Sequence, residues 1–184
     1  MRIQRMQESS RKRENAKKAG VMALFYPNNK GLTHLLLIVR KAHPKDVHSG
    51  QIGFPGGQVE HRDTDLMYTA LRETYEEVGV PIRDITVIRS LSQLYIPPSN
   101  FEVHPFIGLY RNGKGFRKQI SEVETLVEVP FPQFMDDASV FNENLSTSYA
   151  TDISVPAFKL NGYTVWGATA MMLSEIKELL KQVI

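Results

Sequence analysis

The sequence contains no cysteine, and its apolar runs are short. Without cysteine there is no disulfide, no thiolate metal site and no cysteine nucleophile. Runs such as residues 21–26 and 35–39 fall far short of the roughly 18 to 20 apolar residues that cross a bilayer, so we expect no transmembrane helix and no membrane partner. The first residues also lack the apolar core of a signal peptide. We therefore predict a cytoplasmic protein, since a cysteine-free chain suits a reducing compartment.

The net charge is only +2, but the charges are unevenly distributed along the 184 residues. Residues 1–18 carry seven lysines or arginines against two glutamates, so the rest of the chain is slightly acidic. We predict a basic N-terminal arm at 1–18 and a single domain at 19–184. A solvated terminus explains such an arm, and so does attraction of an anionic ligand. No aromatic residues interleave with the basic ones, which makes nucleic acid an unlikely partner.

Residue patterns predict many strands and two helices, and hence an α/β (α+β) fold with a mixed sheet covered on both faces. Residues 19–26 and 32–40 flank a turn-rich segment and are typical of a hairpin. Further strands are predicted at 85–90, 102–110, 126–129 and 148–153, and on both sides of Asn161-Gly162. The two helices are predicted at about 64–78 and from about 169 onward.

Capping residues or an apolar stripe support each predicted helix. Asp63 or Thr64 is placed to cap the first helix, and Gly79 is placed for a left-handed C-terminal cap. At 100° per residue one side of this helix carries the packing residues Met67, Ala70, Leu71, Thr74 and Val78. The closing helix has its own stripe, formed by Met172, Ile176, Leu179 and Val183.

Three glutamates share an adjoining strip of the first helix. Glu73, Glu76 and Glu77 stand at i, i+3 and i+4, so their carboxylates converge at a cost in repulsion. Arg72 can offset part of this charge, through Glu76 or through Asp63, but one arginine cannot neutralise three carboxylates. Hard oxygen ligands favour Mg²⁺, Mn²⁺ or Ca²⁺ over zinc as the remaining counter-charge. Taken alone, such a strip is usually a solvated surface.

A glycine-rich segment directly precedes the acidic helix. It runs Gly-Phe-Pro-Gly-Gly-Gln-Val-Glu over residues 53–60, and its adjacent glycines allow a ligand to approach bare backbone. A tight turn would also explain them. A glycine-rich turn leading into an acid-lined helix is nonetheless a plausible site for a diphosphate and its metal ions.

At these residues the sequence resembles a known family. Gly57 and the run Arg72-Glu73-Thr74-Tyr75-Glu76-Glu77-Val78-Gly79 are similar to the Nudix box of the Nudix hydrolases, which cleave a nucleoside diphosphate linked to another moiety. Asp63 stands where the box has an early glutamate, and the interval to Arg72 is one residue longer than the general pattern. Both departures also occur in the branch resembling coenzyme A pyrophosphatases.

The likeness to that branch extends over most of the chain. Residues 50–57, 99–108 and 165–170 resemble three separate segments of it. The upstream half of the coenzyme A signature matches less well, since this chain has Ile38-Val39-Arg40, Ala42 and Asp46 there. The basic arm is also shorter than the leader usual in the branch, so we expect a shortened N-terminus.

The resemblance implies a Nudix-like α/β/α sandwich that hydrolyses coenzyme A or acyl-CoA with Mg²⁺ or Mn²⁺, giving phosphopantetheine and adenosine 3′,5′-bisphosphate. A small-molecule nucleotide is thus the expected substrate, and a homodimer the expected assembly. The implied metal ligands are Glu73, Glu77, Glu76 and the carbonyl of Gly57. The implied catalytic residues are Glu76, which ligates or activates water, Arg72, which orients the glutamates, and Glu122, for which Glu124 and Glu128 are alternatives. The candidate substrate contacts are Arg40, His48, Phe54 and Gly56.

Other functions remain open at the level of sequence. Within the enzyme class the alternative substrates are ADP-ribose, a dinucleotide or a nucleoside triphosphate. From another class, the chain would be a non-catalytic nucleotide-binding module that keeps the box as architecture.

Overall fold

The structure is a computed structural model that describes residues 15–42, 50–147 and 150–183. In this part of the chain the strands are β1 (Lys17–Pro27), β2 (Thr33–Arg40), β3 (Ile52–Gly53), β4 (Gly56–Gln58), β5 (Ile85–Ser90), β6 (Leu94–Ile96), β7 (Phe101–Tyr110), β8 (Val123–Pro130), β9 (Val140–Thr147), β10 (Ala150–Leu160) and β11 (Tyr163–Val165). The helices are α1 (Leu66–Val78), α2 (Phe131–Met135) and α3 (Gly167–Lys181), with 3₁₀ turns at Ile82–Asp84 and Asp137–Ser139.

Strand β1 lies at the centre of the larger sheet, whose order is β3-β2-β1-β7-β5. β1 and β2 form the predicted antiparallel hairpin, whereas β1 and β7 run parallel, so the sheet is mixed as expected. β4 also pairs with β1, placing Gly57 opposite Gly20. β9, β10 and β11 form a second, antiparallel sheet.

Two hydrophobic cores lie on the two faces of the larger sheet. On one face, side chains of β1 such as Met22 and Leu24 pack with Ala70, Leu71 and Val78 of α1. On the other, Ala23 and Phe25 belong to a core shared with β10 and with α3 residues such as Ile176. The predicted sandwich, with a mixed sheet between helical layers, is confirmed.

Helix α1 lies unusually close to β1 because Gly20 has no side chain. A Cβ atom at Gly20 would lie 2.2 Å from the Leu66 carbonyl oxygen and 2.9 Å from the Ala70 amide nitrogen. No side chain fits at such distances, so glycine lets the start of α1 rest on the strand backbone. This contact fixes the helix relative to β4 and its glycines.

The caps of α1 match the sequence prediction at one end only. The N-cap is Asp65, whose Oδ1 accepts from the Tyr68 amide at 2.7 Å. The predicted caps Asp63 and Thr64 are wrong because Asp63 is engaged with Arg72 instead. Gly79 ends the helix in the left-handed conformation, with φ 75°, as predicted.

Several other boundaries differ from the predictions. β1 begins at Lys17, so the last two residues of the predicted arm belong to the sheet; residues 1–14 lie outside the described part. β9 was not predicted, and β10 extends well beyond the predicted strand at 148–153, whose first two residues are not described.

Two residues of the predicted packing stripes are exposed. Met67 and Val183 were expected to pack, but they are 39% and 77% exposed.

No helix in the described ranges is long and apolar enough to span a bilayer.

Candidate metal and diphosphate site

Three carboxylates meet beside the middle of α1. Glu73, Glu77 and Glu122 each offer an oxygen, and these oxygens lie within 4.8 Å of one another. Glu73 and Glu77 meet because residues four apart share a helix face, as the spacing predicted. Glu122 comes from the segment before β8, so a carboxylate distant in sequence lies beside the strip, and its predicted catalytic role stays a prediction.

Backbone hydrogen bonds carry Glu122 to this position. The last carbonyls of α1 have no partner within the helix, and the following segment supplies one: the amides of Arg117 and Gln119 donate to Val78 and Glu77, at 3.0 and 2.8 Å. The Glu122 amide then donates to the Gln119 carbonyl at 3.1 Å, and its carbonyl accepts from the Lys41 amide at 2.8 Å. The same segment therefore caps α1 and presents Glu122 to it.

Glu77 is a buried carboxyl group with few neighbours to stabilise its charge. It is 1% exposed. Its Oε2 accepts from the Gly56 amide at 2.8 Å, and its Oε1 lies 3.6 Å from Nη1 of Arg40. Burial raises the pKa of Glu77 from 4.5 to about 8; the Gly56 amide and Arg40 oppose the rise, while Glu73 and Glu122 add to it. A cation at the cluster would offset both the cost of burying a charged carboxylate and the repulsion from Glu73 and Glu122.

Glu73 lies against the bare Cα of Gly57. A Cβ atom at Gly57 would lie 2.5 Å from the carboxyl carbon and from Oε1 of Glu73. Burial also raises the pKa of Glu73, while Arg72 lowers it and Glu76 and Glu122 raise it further. The structure thus brings the predicted ligand residues Glu73 and Gly57 side by side.

The guanidinium of Arg72 bridges Asp63 to two glutamates of the acidic strip. Its Nε and Nη2 donate to the two oxygens of Asp63, at 2.8 and 2.9 Å, and its Nη1 contacts Glu73 and Glu76, at 2.9 and 2.8 Å. The paired guanidinium holds the pKa of Asp63 well below its usual range, and Asp63 in turn raises that of Arg72. Both predicted partners of Arg72, Asp63 and Glu76, are confirmed.

Glu76 points to two arginines and is not part of the three-carboxylate cluster. Besides Arg72 it receives a hydrogen bond from Nη2 of Arg62 at 2.7 Å, and Arg62 also contacts Glu60 at 2.9 Å. Arg62 carries no signal in the sequence, because its partner Glu76 lies 14 residues further along the chain and Arg62 otherwise resembles any exposed arginine. The roles predicted for Glu76 stay predictions.

The predicted substrate contacts fall into different surroundings. Arg40 ends β2 beside Glu77. Gly56 has φ 155° and lies so close to β1 that a Cβ would be 2.4 Å from the Gly20 carbonyl oxygen; its amide is used by Glu77. Phe54 is only 5% exposed and packs in the hydrophobic core, and its predicted substrate contact stays a prediction. His48 lies outside the described residues.

The donor set fits a hard divalent cation. Three carboxylates converge and the chain has no cysteine, which is the ligand chemistry of a hard cation such as Mg²⁺, Mn²⁺ or Ca²⁺. Glu73 and Glu77, two of the three residues, are disfavoured as anions by burial, and a bound cation would reverse that. Mg²⁺ keeps several waters and is commonly shared with substrate phosphates, which suits a cluster open on the Glu122 side.

Comparison with known proteins gives one family. The chain matches the NUDIX domain over residues 16–142. It is 29% identical to the peroxisomal coenzyme A diphosphatase ndx-8 of Caenorhabditis elegans over 163 residues, which cover 88% of this chain and 68% of that protein. It is 32% identical to the uncharacterized Nudix hydrolase NudL of Yersinia enterocolitica over 150 residues, covering 78% of this chain and 72% of that one.

Among solved structures, the fold is similar to RenU, a Nudix hydrolase from M. smegmatis. The TM-score is 0.62 at 17% identity, covering 92% of this chain and 88% of that one. At this identity the similarity concerns the fold alone.

Proposed function

The chain belongs to the NUDIX family, and on that premise we propose that this pyrophosphohydrolase cleaves the diphosphate of coenzyme A or an acyl-CoA. The products would be phosphopantetheine and adenosine 3′,5′-bisphosphate. The observation that carries the reaction is the meeting of Glu73, Glu77 and Glu122 within 4.8 Å. The C. elegans relative named as a coenzyme A diphosphatase supports the substrate.

We propose that Glu73, Glu77 and Glu122 hold Mg²⁺ or Mn²⁺, together with the Gly57 carbonyl. Such a cation supplies Lewis acidity, which neutralises the diphosphate and lowers the pKa of water. The chain's own contribution is to keep the ligands in place before substrate arrives. The Gly56 amide orients Glu77, the bare Cα of Gly57 leaves room for Glu73, and Arg72 anchors Glu73 against Asp63.

Glu76 is the proposed general base or an additional ligand. It stands three residues after Glu73 on α1, and Arg62 and Arg72 fix the position of its carboxylate at 2.7 and 2.8 Å. Arg72 acts by orienting Glu73 and Glu76. We propose Arg40 as a contact to the substrate's phosphates because it stands at the cluster with a partly exposed side chain.

Product analysis tests the proposal directly. The protein is incubated with coenzyme A and Mn²⁺, and the products are identified by mass spectrometry. We expect a pair of products cleaved at the diphosphate and no reaction in EDTA. The Glu77→Gln variant is the control, since it is expected to fold but to lose turnover by orders of magnitude; wild-type-like turnover by this variant would contradict the assignment of the metal site.

A panel of ADP-ribose, a dinucleotide and a nucleoside triphosphate, at matched concentrations, distinguishes the alternative substrates. If one of these is turned over with a higher kcat/KM than coenzyme A, the proposed substrate is wrong, whereas the proposed cleavage of a diphosphate still stands. Binding without metal-dependent turnover of any compound would instead favour the non-catalytic module. We propose the cytoplasm as the compartment, on the ground of the cysteine-free sequence, and a homodimer as the assembly.

A further inference from the structure

Both carboxylate oxygens of Glu76 are bonded to arginines. Its Oε1 accepts from Nη2 of Arg62 at 2.7 Å, and its Oε2 accepts from Nη1 of Arg72 at 2.8 Å. Hydrogen bonds between charged groups are stronger than those between neutral ones. A metal ion that approached Glu76 would therefore compete with a guanidinium at either oxygen.

Glu76 shares a hydrogen-bond donor with a member of the three-carboxylate cluster. The Nη1 atom of Arg72 that bonds Oε2 of Glu76 also donates to Oε1 of Glu73, at 2.9 Å. The two glutamates stand three residues apart on α1 and so share a face of the helix. A change in the side-chain torsions of Glu76, with the helix left in place, can thus bring one of its oxygens to a metal bound at Glu73.

The two arginines differ in how firmly they are held. Arg72 has a side chain that is only 5% exposed, and it donates to both oxygens of Asp63. Arg72 therefore stays in place whatever Glu76 does. The side chain of Arg62 is 61% exposed, and its ion pairs are with Glu76 and Glu60. Of the two contacts that hold Glu76, the contact with Arg62 is the one that can open.

Arg62 is placed for this contact by the loop before α1. Its Nε lies 2.9 Å from Oε2 of Glu60. The Glu60 amide donates to Oδ2 of Asp63, and the Asp63 amide donates to the Glu60 carbonyl, so the loop is closed into a turn. A guanidinium has five N–H donors in one plane and can bond two carboxylates at once. Arg62 thus joins this turn to Glu76 on the helix.

We propose that Arg62 is a positioning residue that holds Glu76 outside the coordination of the metal. Of the two roles proposed above for Glu76, general base then remains and additional ligand does not. This inference rests on the proposed function only in placing a divalent cation at Glu73, Glu77 and Glu122, whatever the substrate is.

The first test is a titration with Mn²⁺ alone, in the absence of any nucleotide, followed by the electron paramagnetic resonance signal of free Mn²⁺. Arg62→Gln leaves Oε1 of Glu76 without its charged donor, so Glu76 can turn to the metal. Mn²⁺ binding should tighten roughly tenfold, because the affinity for a hard cation rises with the number of charged ligands.

Loss of a positive charge would by itself favour Mn²⁺, and a second background separates the two causes. In a chain that carries Glu76→Gln, adding Arg62→Gln should change Mn²⁺ affinity less than about twofold, because salt screens an exposed charge and no carboxylate is released. Arg83→Gln removes an equal charge from the exposed 3₁₀ turn after α1 and should leave the wild-type affinity unchanged.

The second test counts the water molecules on bound Mn²⁺ by the relaxation of water protons. A hard cation keeps waters at the positions that the protein does not occupy. In Arg62→Gln an oxygen of Glu76 should displace one of these waters, whereas the variant that also carries Glu76→Gln should keep the wild-type number. Removal of charge alone displaces no water, so a merely structural or electrostatic role of Arg62 would not change this count.

Either of two results overturns the inference: a folded Arg62→Gln variant with wild-type Mn²⁺ affinity and hydration, or a tightening that persists in full in the Glu76→Gln background. If Arg62→Gln does not fold, Arg62→Met removes the same charge, keeps an apolar stem and is measured in its place. A wild type that binds no Mn²⁺ refutes the metal site and this inference together. A wild type that binds Mn²⁺ but leaves coenzyme A intact refutes the proposed substrate alone.

Discussion

The carboxylate of Glu73 rests on the Cα of Gly57, so closely that a methyl group there would come within 2.5 Å of Oε1. The contact joins the glycine-rich strand β4 to helix α1 at the metal cluster. Gly57 does not have a positive φ, so the backbone itself would accept another residue. What excludes a side chain is the position of Glu73.

Gly57→Ala is therefore expected to displace Glu73 and leave the fold in place. Since one of three proposed ligands moves, Mn²⁺ affinity should fall at least about tenfold and kcat should fall with it. Calorimetric titration with Mn²⁺ and steady-state kinetics measure the two effects. Gly115→Ala is the matched control, because a Cβ there meets no atom within 4 Å. An unchanged Mn²⁺ affinity in Gly57→Ala would rule out Glu73 as a ligand in this position.

Glu122 contributes the third carboxylate, and its removal should affect chemistry more than stability. The side chain is exposed and the segment is held by backbone hydrogen bonds, so Glu122→Gln should melt as the wild type does. We expect kcat to fall roughly 100-fold, by analogy with the loss of one preorganised electrostatic group. Glu124→Gln, two residues on and also exposed, should keep wild-type kinetics. If the two variants exchange these behaviours, the cluster has been assigned to the wrong carboxylate.

The buried carboxyl of Glu77 predicts a specific pH dependence of the metal-free protein. Its pKa is raised from 4.5 to about 8, with burial as the main cause. Between these values the folded chain holds a proton that the unfolded chain releases, so stability should decrease as pH rises from about 4.5 to about 8. Melting curves in EDTA across this range measure the effect.

Glu77→Gln should remove that pH dependence, since glutamine does not titrate. Glu178→Gln, an exposed position on α3, is the control and should retain the wild-type curve. With saturating Mn²⁺, stability should instead increase as pH rises, because the metal binds the ionised carboxylate and offsets the cost of its deprotonation. A melting midpoint for the metal-free wild type that stays flat or rises over this interval would contradict the assignment.

The pair formed by Asp63 and Arg72 should stabilise the fold as well as the site. The Asp63 side chain is fully buried, and Asp63→Asn leaves the guanidinium without its main partner, which typically costs about 3 kcal/mol. Because Arg72 depresses the pKa of Asp63, the wild-type pair contributes above pH 3.8, the ordinary Asp value, and is lost as the pH falls through the lowered one. Urea unfolding at neutral and acidic pH measures both.

Asp65→Asn provides the comparison, because asparagine caps a helix as well as aspartate does. It should leave stability nearly unchanged while altering charge at the same helix start. Equal losses in the two variants would show that net charge, and not the buried pair, accounts for the effect. In Asp63→Asn, reduced Mn²⁺ affinity alongside the lost stability would indicate that Arg72 no longer positions Glu73.

The elements that sequence predicted well are those with local causes. Helix α1 ends at Gly79 because a glycine at that position tolerates the left-handed turn, and its packing side follows from 3.6-residue spacing. The N-cap prediction was wrong because three candidates stand side by side, and the buried Arg72 binds one of them. β9 went unpredicted because its residues, 140–147, alternate weakly and acquire their partner only through β10.

By itself the sequence determined that Glu73, Glu76 and Glu77 share one turn of helix beside adjacent glycines, because helical spacing and glycine's freedom are local properties. Tertiary structure decided which more distant residues join them. It brought Glu122 and Arg40 to Glu77, brought Arg62 to Glu76, and buried Phe54 in the core. These contacts join residues far apart along the chain, and no local preference encodes them; they follow from how β2, β4 and the segment before β8 close around α1.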